Sequence, residues 1–257
     1  MDIRPPYGYQ EIVPLTKQHR VLLPEARKLP LVFRNLTALP LSFTEFAAAC
    51  RDYPIAFVSS DGGKNFVAMA VLGLENQQNL FVEAGGGWDG AVYLPAYVRR
   101  YPFCMTRITV DGQEQPERVA CVEKRAINDK GEALHNAKGA PLPVWEERKK
   151  LLFEYEADLV RSDEMSRALA GLGLLETFSM QAIPNEGAPL AMTGMYRVAE
   201  QKLGALAPEK LKELTQQGIL ARVYAHLISL NNFGRLLDRR SGLAKPAAPA
   251  RNPKKLN

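Results

Sequence analysis

Residues 53–84, YPIAFVSSDGGKNFVAMAVLGLENQQNLFVEA, decide the fold class of this chain. Three strand-like apolar runs lie in the stretch, at 55–59, 66–72 and 80–84. Only short turn segments, with DGG and ENQQ at their centres, separate these runs. A parallel crossover needs about a dozen residues or more, so connections this short join antiparallel strands. The stretch therefore predicts an antiparallel sheet in the N-terminal half.

A capped helix precedes this sheet. Ser42 and Glu45 have the spacing of a capping box, in which each side chain binds the backbone amide of the other residue. Apolar residues then recur at helical spacing until Tyr53-Pro54, where a residue before proline is pushed out of the α region. The pattern predicts a helix over 43–51, with a short strand over 31–34 before it.

The rest of the chain adds a hairpin and then mainly helices. Asp111-Gly112 is a strong hairpin turn pair between predicted strands at 104–110 and 118–123. Two further strands are predicted around a turn at 184–187, namely 176–183 and 190–197. The predicted helices are 146–161, one from Ser162 or Asp163 to about 171–173, and 208–240 with a break at Gly218. The predicted fold class is α+β, with the helices concentrated in the C-terminal half.

Most of the net positive charge lies in one predicted segment, the C-terminal tail. Residues 1–30 are predicted to form an extended arm, 31–240 one α+β domain, and 241–257 a disordered basic tail. The formal net charge is +5, and the tail holds four basic residues and no acidic one, so the remaining body carries +1. A near-neutral body lacks the basic footprint of a nucleic-acid groove, so we expect no nucleic-acid partner.

Cysteine usage and hydropathy indicate the compartment. The three cysteines form no C-x-x-C motif and leave an odd thiol, which argues against a disulfide-stapled secreted scaffold. The N-terminal residues contain no signal-peptide core, and no window approaches the ~20 apolar residues of a membrane span. The sequence predicts a cytoplasmic protein without a transmembrane segment, and export by a route that lacks these signals stays open.

Gly85, Gly87 and Gly90 match the G-x-G-x-x-G pattern of dinucleotide-binding folds. Such a site needs a helix that begins inside the motif and holds the pyrophosphate at its N-terminus. Pro95 would break that helix in its first turns, and Asp111, at the spacing of a ribose-binding acid, is better explained as a turn residue. The motif is therefore interpreted as a flexible or close-approach glycine loop.

No metal or cofactor site is predicted. His19, His135 and His226 lie far apart and outside every metal-binding motif, and the pattern around His226 is that of a structural histidine on an apolar helix. The cysteines lie on predicted apolar faces and strands and are interpreted as small hydrophobes. Three carboxylates are interpreted as a solvated helix face: Glu154, Glu156 and Asp158.

The segment 85–101 is the best candidate for ligand binding. Flexible glycines lead there into aromatic and arginine residues, and planar guanidinium groups beside aromatic rings can clamp a peptide or an anionic group. The alternative is that the aromatic residues pack against the sheet while the arginines are solvated or ion-paired. The candidate ligand-binding residues, expected to form an exposed grip, are Trp88, Tyr93, Tyr97, Arg99 and Arg100.

Several ordered segments, taken together over about residues 30–240, resemble the SapC family of bacterial proteins. The N-terminal segments are YPIAFV (53–58), AVLGL (70–74), NLFV (79–82), Trp88 and LPAYVRRYPF (94–103). The C-terminal segments are GLLE (173–176), FSMQ (178–181), GMYRV (194–198), AHLISL (225–230) and Phe233. The resemblance implies no catalytic residue set, and the family's name implies an association with surface layers.

Three functions stay open at the level of sequence. The near-neutral body, the 85–101 segment and the lack of a catalytic motif favour a non-catalytic binding or accessory protein. Its partner would be a peptide or protein, in a cell-envelope or peptide- or protein-modification system. The first alternative is a metal- or cofactor-dependent enzyme whose site assembles from distant residues such as His19 and His226. The second is a structural surface-layer component.

Overall fold

The computed structural model describes residues 2–25, 28, 30–182 and 190–242. The strands in this part of the chain are β1 (Asp2–Ile3), β2 (Ile12–Pro14), β3 (Arg20–Val21), β4 (Ala38–Pro40), β5 (Ile55–Val58), β6 (Val67–Val71), β7 (Phe103–Val110), β8 (Gln113–Glu123), β9 (Glu132–Ala133), β10 (Leu175–Ala182) and β11 (Leu190–Val198). The α-helices are α1 (Phe46–Ala49), α2 (Ala96–Arg99), α3 (Pro143–Gly171), α4 (Glu200–Gly204), α5 (Pro208–Gln216), α6 (Ile219–Ser229) and α7 (Asn232–Arg240). Three 3-10 helices are Leu31–Asn35, Phe43–Glu45 and Lys124–Ala126.

Antiparallel sheets mainly in the N-terminal half, and helices concentrated in the C-terminal half, make this an α+β fold, as predicted. The larger sheet has the strand order β10-β11-β5-β6-β4, and a four-stranded sheet has the order β1-β7-β8-β2. The strands β1, β2 and β3 lie in the predicted arm and pair with β7, β8 and β9. Helix α3 contacts both larger sheets, through β6 and β7. In the described part of the chain, no helix has the length and hydropathy needed to cross a membrane.

Two predicted strands are wrong. Strand β4 pairs with β6 on the side away from β5, so the edge where a third hairpin strand would add is occupied. Residues 80–84 therefore form a loop in which Val82 makes a single bridge to Trp88. Within this loop only Phe81 is buried, and a short apolar run does not by itself indicate a strand. The run predicted as a strand at 31–34 belongs to the 3-10 helix that follows Pro30.

The predicted helix start at Ser42 is confirmed, and the predicted break between helices at Ser162 is wrong. The Glu45 carboxylate accepts hydrogen bonds from the backbone N–H of Ser42 at 2.9 Å and from its hydroxyl at 2.7 Å, and the capping box is complete. The helices predicted on either side of Ser162 are one continuous helix, α3. The Ser162 hydroxyl donates to the carbonyl of Asp158 at 2.8 Å, which lets a residue typical of caps lie inside a helix.

Two turns marked by glycine are confirmed. Asp111 and Gly112, between β7 and β8, have φ values of 50° and 79°, the left-handed pair that a two-residue hairpin turn of type I′ requires. Gly218, with φ of 72°, separates α5 from α6. The predicted turn at 184–187 and residues 243–257 of the predicted tail lie outside the described residues. The domain boundaries at 30 and 240 stay predictions.

His226 fastens α6 to the five-stranded sheet. Its Nδ1–H donates to the carbonyl of Ile55 at 2.8 Å, and its Nε2 accepts the backbone N–H of Val198 at 3.1 Å. One neutral ring thus joins β5 to β11. The residue is completely buried, and this burial lowers its pKa to about 4. The interpretation of His226 as a structural histidine is confirmed, and neither ring nitrogen is left for a metal or a substrate.

Candidate functional site

The glycine loop approaches a neighbouring side chain closely and starts no helix. The next helix after Gly87 is α2, which begins beyond Pro95 and has only four residues. Gly86 has φ of +81°, and a Cβ placed on it would lie 1.8 Å from Nη2 of Arg34. The loop therefore has no helix N-terminus to hold a pyrophosphate, and the positive φ of Gly86 favours glycine at this position.

Trp88 belongs to the core. Its side chain is 2% exposed, its ring stacks on Phe81, and its indole N–H donates to the hydroxyl of Tyr53 at 2.9 Å. From the other side of the loop, Arg239 donates to the carboxylate of Asp89 at 2.8 Å and holds the segment against α7. The expectation of an exposed indole that grips a ligand is wrong, because the tryptophan fills the space beneath the loop.

Arg100 lies in a buried cluster, called here the arginine–tyrosine cluster and formed by Tyr9, Tyr97, Arg100 and Tyr155. The guanidinium carbon lies 4.2 Å from the ring centre of Tyr97, 4.8 Å from that of Tyr155 and 5.6 Å from that of Tyr9. Such rings stabilise a buried cation through their negative faces. Burial raises the pKa of Tyr97 to about 12 and also raises that of Tyr155, so the phenols stay neutral.

The cluster has unmet hydrogen-bonding capacity. Arg100 is 4% exposed, and its nearest carboxylate oxygen in the described ion pairs, on Glu156, is 3.9 Å away, beyond hydrogen-bonding distance. Neither Nε of Arg100 nor the hydroxyl of Tyr155 has a hydrogen-bond partner among the described residues. A buried guanidinium with a spare donor is costly, so the cluster can readily accept a further polar group.

Tyr93 and Arg99 lie at the surface, on the other side of α2. The Tyr93 hydroxyl donates to the carboxylate of Glu45 at 3.0 Å and accepts from Nη2 of Arg99 at 3.2 Å. The same carboxylate accepts the backbone N–H of Ala96 at 2.6 Å and so caps α2. Burial and the nearby Glu45 raise the pKa of Tyr93 to about 12. The predicted five residues thus separate into a core residue, two cluster residues and a pair at the surface, the partly buried Tyr93 and the exposed Arg99, whose ligand-binding role stays a prediction.

A groove with a volume of about 620 Å³ lies beside β7 and β8 and is called here the arginine groove. Its described lining includes Arg4, Thr106, Arg107, Thr109 and Arg118, and no acidic residue is part of that described lining. Guanidinium groups stay charged at every physiological pH, and hydroxyl groups beside them donate further hydrogen bonds. The groove can therefore bind an anionic group without any change in protonation.

Glu156 lies between the groove and the cluster. Its carboxylate accepts a hydrogen bond from Nη1 of Arg118, and its side chain is only 13% exposed. The same carboxylate is the one that approaches Arg100. The interpretation of Glu156 as part of a solvated helix face is wrong, because α3 packs this side against the four-stranded sheet.

Sequence reasoning missed the groove because its lining combines Arg4 and Pro6 with a hairpin whose register shifts at a bulge. Next to the Asp111-Gly112 turn, Thr109 pairs with Glu114, but beyond the bulge Arg107 pairs with Arg118. Without that shift the regular hairpin register would place Arg107 opposite Pro116. The bulge thus sets two arginines opposite each other, and Arg118 of this pair is compensated by the carboxylate of Glu156.

The remaining candidate groups give no reactive centre in the described part of the chain. There, no cluster of three or more His, Cys, Asp or Glu residues could hold a metal ion. Burial raises the pKa of Cys104 to about 12 and that of Cys121 to about 11, which keeps both as thiols at neutral pH. His19 lies in a local turn, where its Nδ1 accepts the backbone N–H of Thr16 at 3.2 Å.

The family model of SapC matches residues 16–236. The chain belongs to the SapC family. The SapC match covers the arginine–tyrosine cluster from Tyr97 onward and three residues that shape the groove, namely Arg107, Arg118 and Glu156, while Tyr9 and Arg4 precede it. No curated protein and no solved structure matches the chain significantly.

Proposed function

We propose that this SapC-family chain is a non-catalytic binding or accessory protein that acts on a peptide or protein partner through the arginine groove. The observation that carries the proposal is a groove of about 620 Å³ whose described lining combines three guanidinium groups with two hydroxyl groups. These groups bind and orient a partner, since a guanidinium neither gives nor takes a proton at neutral pH.

The partner is a peptide or protein rather than a nucleic acid. Four of the five net positive charges lie in the last seventeen residues, at 241–257, so the folded body does not carry a broad basic face. A groove that runs beside the strands of an antiparallel sheet can also receive an extended peptide. We place the protein in the cytoplasm, within a cell-envelope or peptide- or protein-modification system; the enzyme and surface-layer alternatives stay predictions.

A random-peptide library selected on the immobilised full-length protein tests the proposal. Backbone hydrogen exchange with the selected peptides should slow in β7 and β8. Arg118→Ala should weaken binding by roughly tenfold, because it removes a charged hydrogen-bond donor from the groove. Arg99→Ala, which removes an exposed arginine outside the groove, should leave binding unchanged.

Each other outcome decides against part of the proposal. Failure to select any peptide contradicts the binding function itself. Selected peptides that lose affinity with Arg99→Ala but not with Arg118→Ala would move the site to the Tyr93–Arg99 pair at the surface. Protection confined to elements far from β7 and β8 would contradict the groove in the same way.

A further inference from the structure

The chemistry of the groove specifies its partner further than the proposed function does, and the inference rests on that function. We infer that the arginine groove binds an acidic peptide segment with an apolar residue beside its carboxylate, and that this carboxylate replaces Glu156 as the partner of Arg118.

The charged part of the inference comes from Arg4 and Arg118. Both line the groove, Arg4 is exposed, and the side chain of Arg118 is 42% exposed, so a partner can reach both. A guanidinium presents paired donors in the geometry of a carboxylate. Arg118 already holds such a group, because Glu156 binds it within the chain. An acidic side chain of a partner supplies the same group from outside.

Replacement of Glu156 by a partner's carboxylate is favoured because Glu156 can then pair with a second cation, Arg100. Its carboxylate is 3.9 Å from Nη1 of Arg100, and Nε of Arg100 lacks a partner among the described residues. A carboxylate released from Arg118 can close this distance and pair with Arg100. No charge is then left buried and unpaired, which is the usual cost of breaking a partly buried ion pair.

The apolar part of the inference comes from two exposed side chains of α3 that neighbour the partly buried Glu156 along the helix. Phe153 and Val160 are 55% and 57% exposed, so both can contact a partner. They lie three residues before and four residues after Glu156, so all three share one face of the helix. An acidic partner seated at Arg118 therefore lies beside an apolar strip, and an apolar residue next to its carboxylate would cover that strip.

Binding of three labelled peptides to the full-length protein tests the inference. Each has about eight residues, enough to span ~25 Å when extended, and alternates Phe and Ser with Glu, Gln or Lys. The Glu peptide should bind roughly tenfold more tightly than the other two, and its affinity should fall as ionic strength rises. A single-stranded oligonucleotide of similar length serves as the competing polyanion.

Matched variants separate the parts of the inference. Arg118→Gln should weaken the Glu peptide roughly tenfold, whereas Arg167→Gln, an exposed ion-paired arginine on the same helix as Glu156, should not. Phe153→Ser should weaken binding of the Glu peptide severalfold. Ile228→Ser, at a comparably exposed apolar position on α6, should leave that binding unchanged. Glu156→Gln should tighten binding severalfold, because it removes the internal competitor of the peptide.

The outcomes distinguish this inference from the proposed function. Equal binding of the Glu, Gln and Lys peptides, with protection in β7 and β8, overturns the acidic class and leaves the peptide-binding function standing. Tighter binding of the oligonucleotide also overturns the class. Weaker binding by a folded Glu156→Gln protein overturns the exchange. If no peptide of any charge binds, both this inference and the proposed function fail.

Discussion

Acidification should destabilise this protein through one residue, His226. In the folded chain the ring is neutral and buried, and its pKa is lowered to about 4. In the unfolded chain an ordinary histidine has a pKa of about 6.5. The unfolded state therefore binds a proton at a higher pH than the folded state does. Stability from this residue is fully present above pH ~6.5, falls as the pH drops toward about 4, and is constant below that value.

The magnitude follows from the two pKa values. The interval between ~6.5 and about 4, at ~1.4 kcal/mol per pH unit, gives a loss of about 3 kcal/mol in the free energy of unfolding. This is a large share of the ~5–15 kcal/mol that stabilises a typical domain. The physical cause is burial, which penalises the charged form of the ring; a proton on Nε2 would also face the N–H of Val198 inside the core.

Urea denaturation across this pH range measures the effect. Tryptophan fluorescence is a suitable signal because Trp88 and Trp145 are both buried. His226→Gln should be less stable than the natural protein at pH ~7, and the difference between the two should shrink by about 3 kcal/mol on acidification. His19→Gln and His135→Gln control for the other two histidines. A difference that stays constant with pH, or an imidazole NMR signal of His226 that titrates near 6.5, would refute the reasoning.

Further predictions concern the loop above the core. Gly86→Ala should lower the free energy of unfolding by about 1–3 kcal/mol, because alanine is strained at positive φ and its methyl group would meet Arg34. Gly85→Ala is the matched control, since a Cβ at that position would have no atom within 4 Å and its φ is not positive; equal losses in the two variants would contradict the account. Trp88→Phe and Tyr53→Phe should each cost about 1–3 kcal/mol, since each breaks the buried indole–phenol hydrogen bond. Their double-mutant cycle should show a coupling of about 0.5–1.5 kcal/mol, and strict additivity would mean that this bond contributes nothing.

Several parts of the fold were predictable because neighbouring residues determine them. The lengths of the connections within 53–84 allow only antiparallel pairing of β5 and β6, and the Asp111-Gly112 pair forms the turn that its sequence predicts. The capping box formed by Ser42 and Glu45 is equally local. Pro95 excludes a helix that begins in the glycine motif, whatever the rest of the chain does.

The third strand and the site were not predictable in this way. Residues 38–40 occupy the edge of β6, and with this distant pairing in place 80–84 form a loop instead of a third strand. Burial of Trp88 and Arg100 depends on which elements cover them, and a side chain's type does not reveal this. The prediction of an exposed grip failed for that reason at these two residues and at Tyr97, which is 3% exposed.

By itself the sequence determined an antiparallel α+β fold with its turns and caps, since those features arise from residues close together in the chain. Tertiary structure alone decided that a bulge brings Arg118 opposite Arg107 and that Glu156 lies between Arg118 and Arg100. Electrostatic interactions act through space, so the groups that can bind a partner together are fixed only when distant segments have packed.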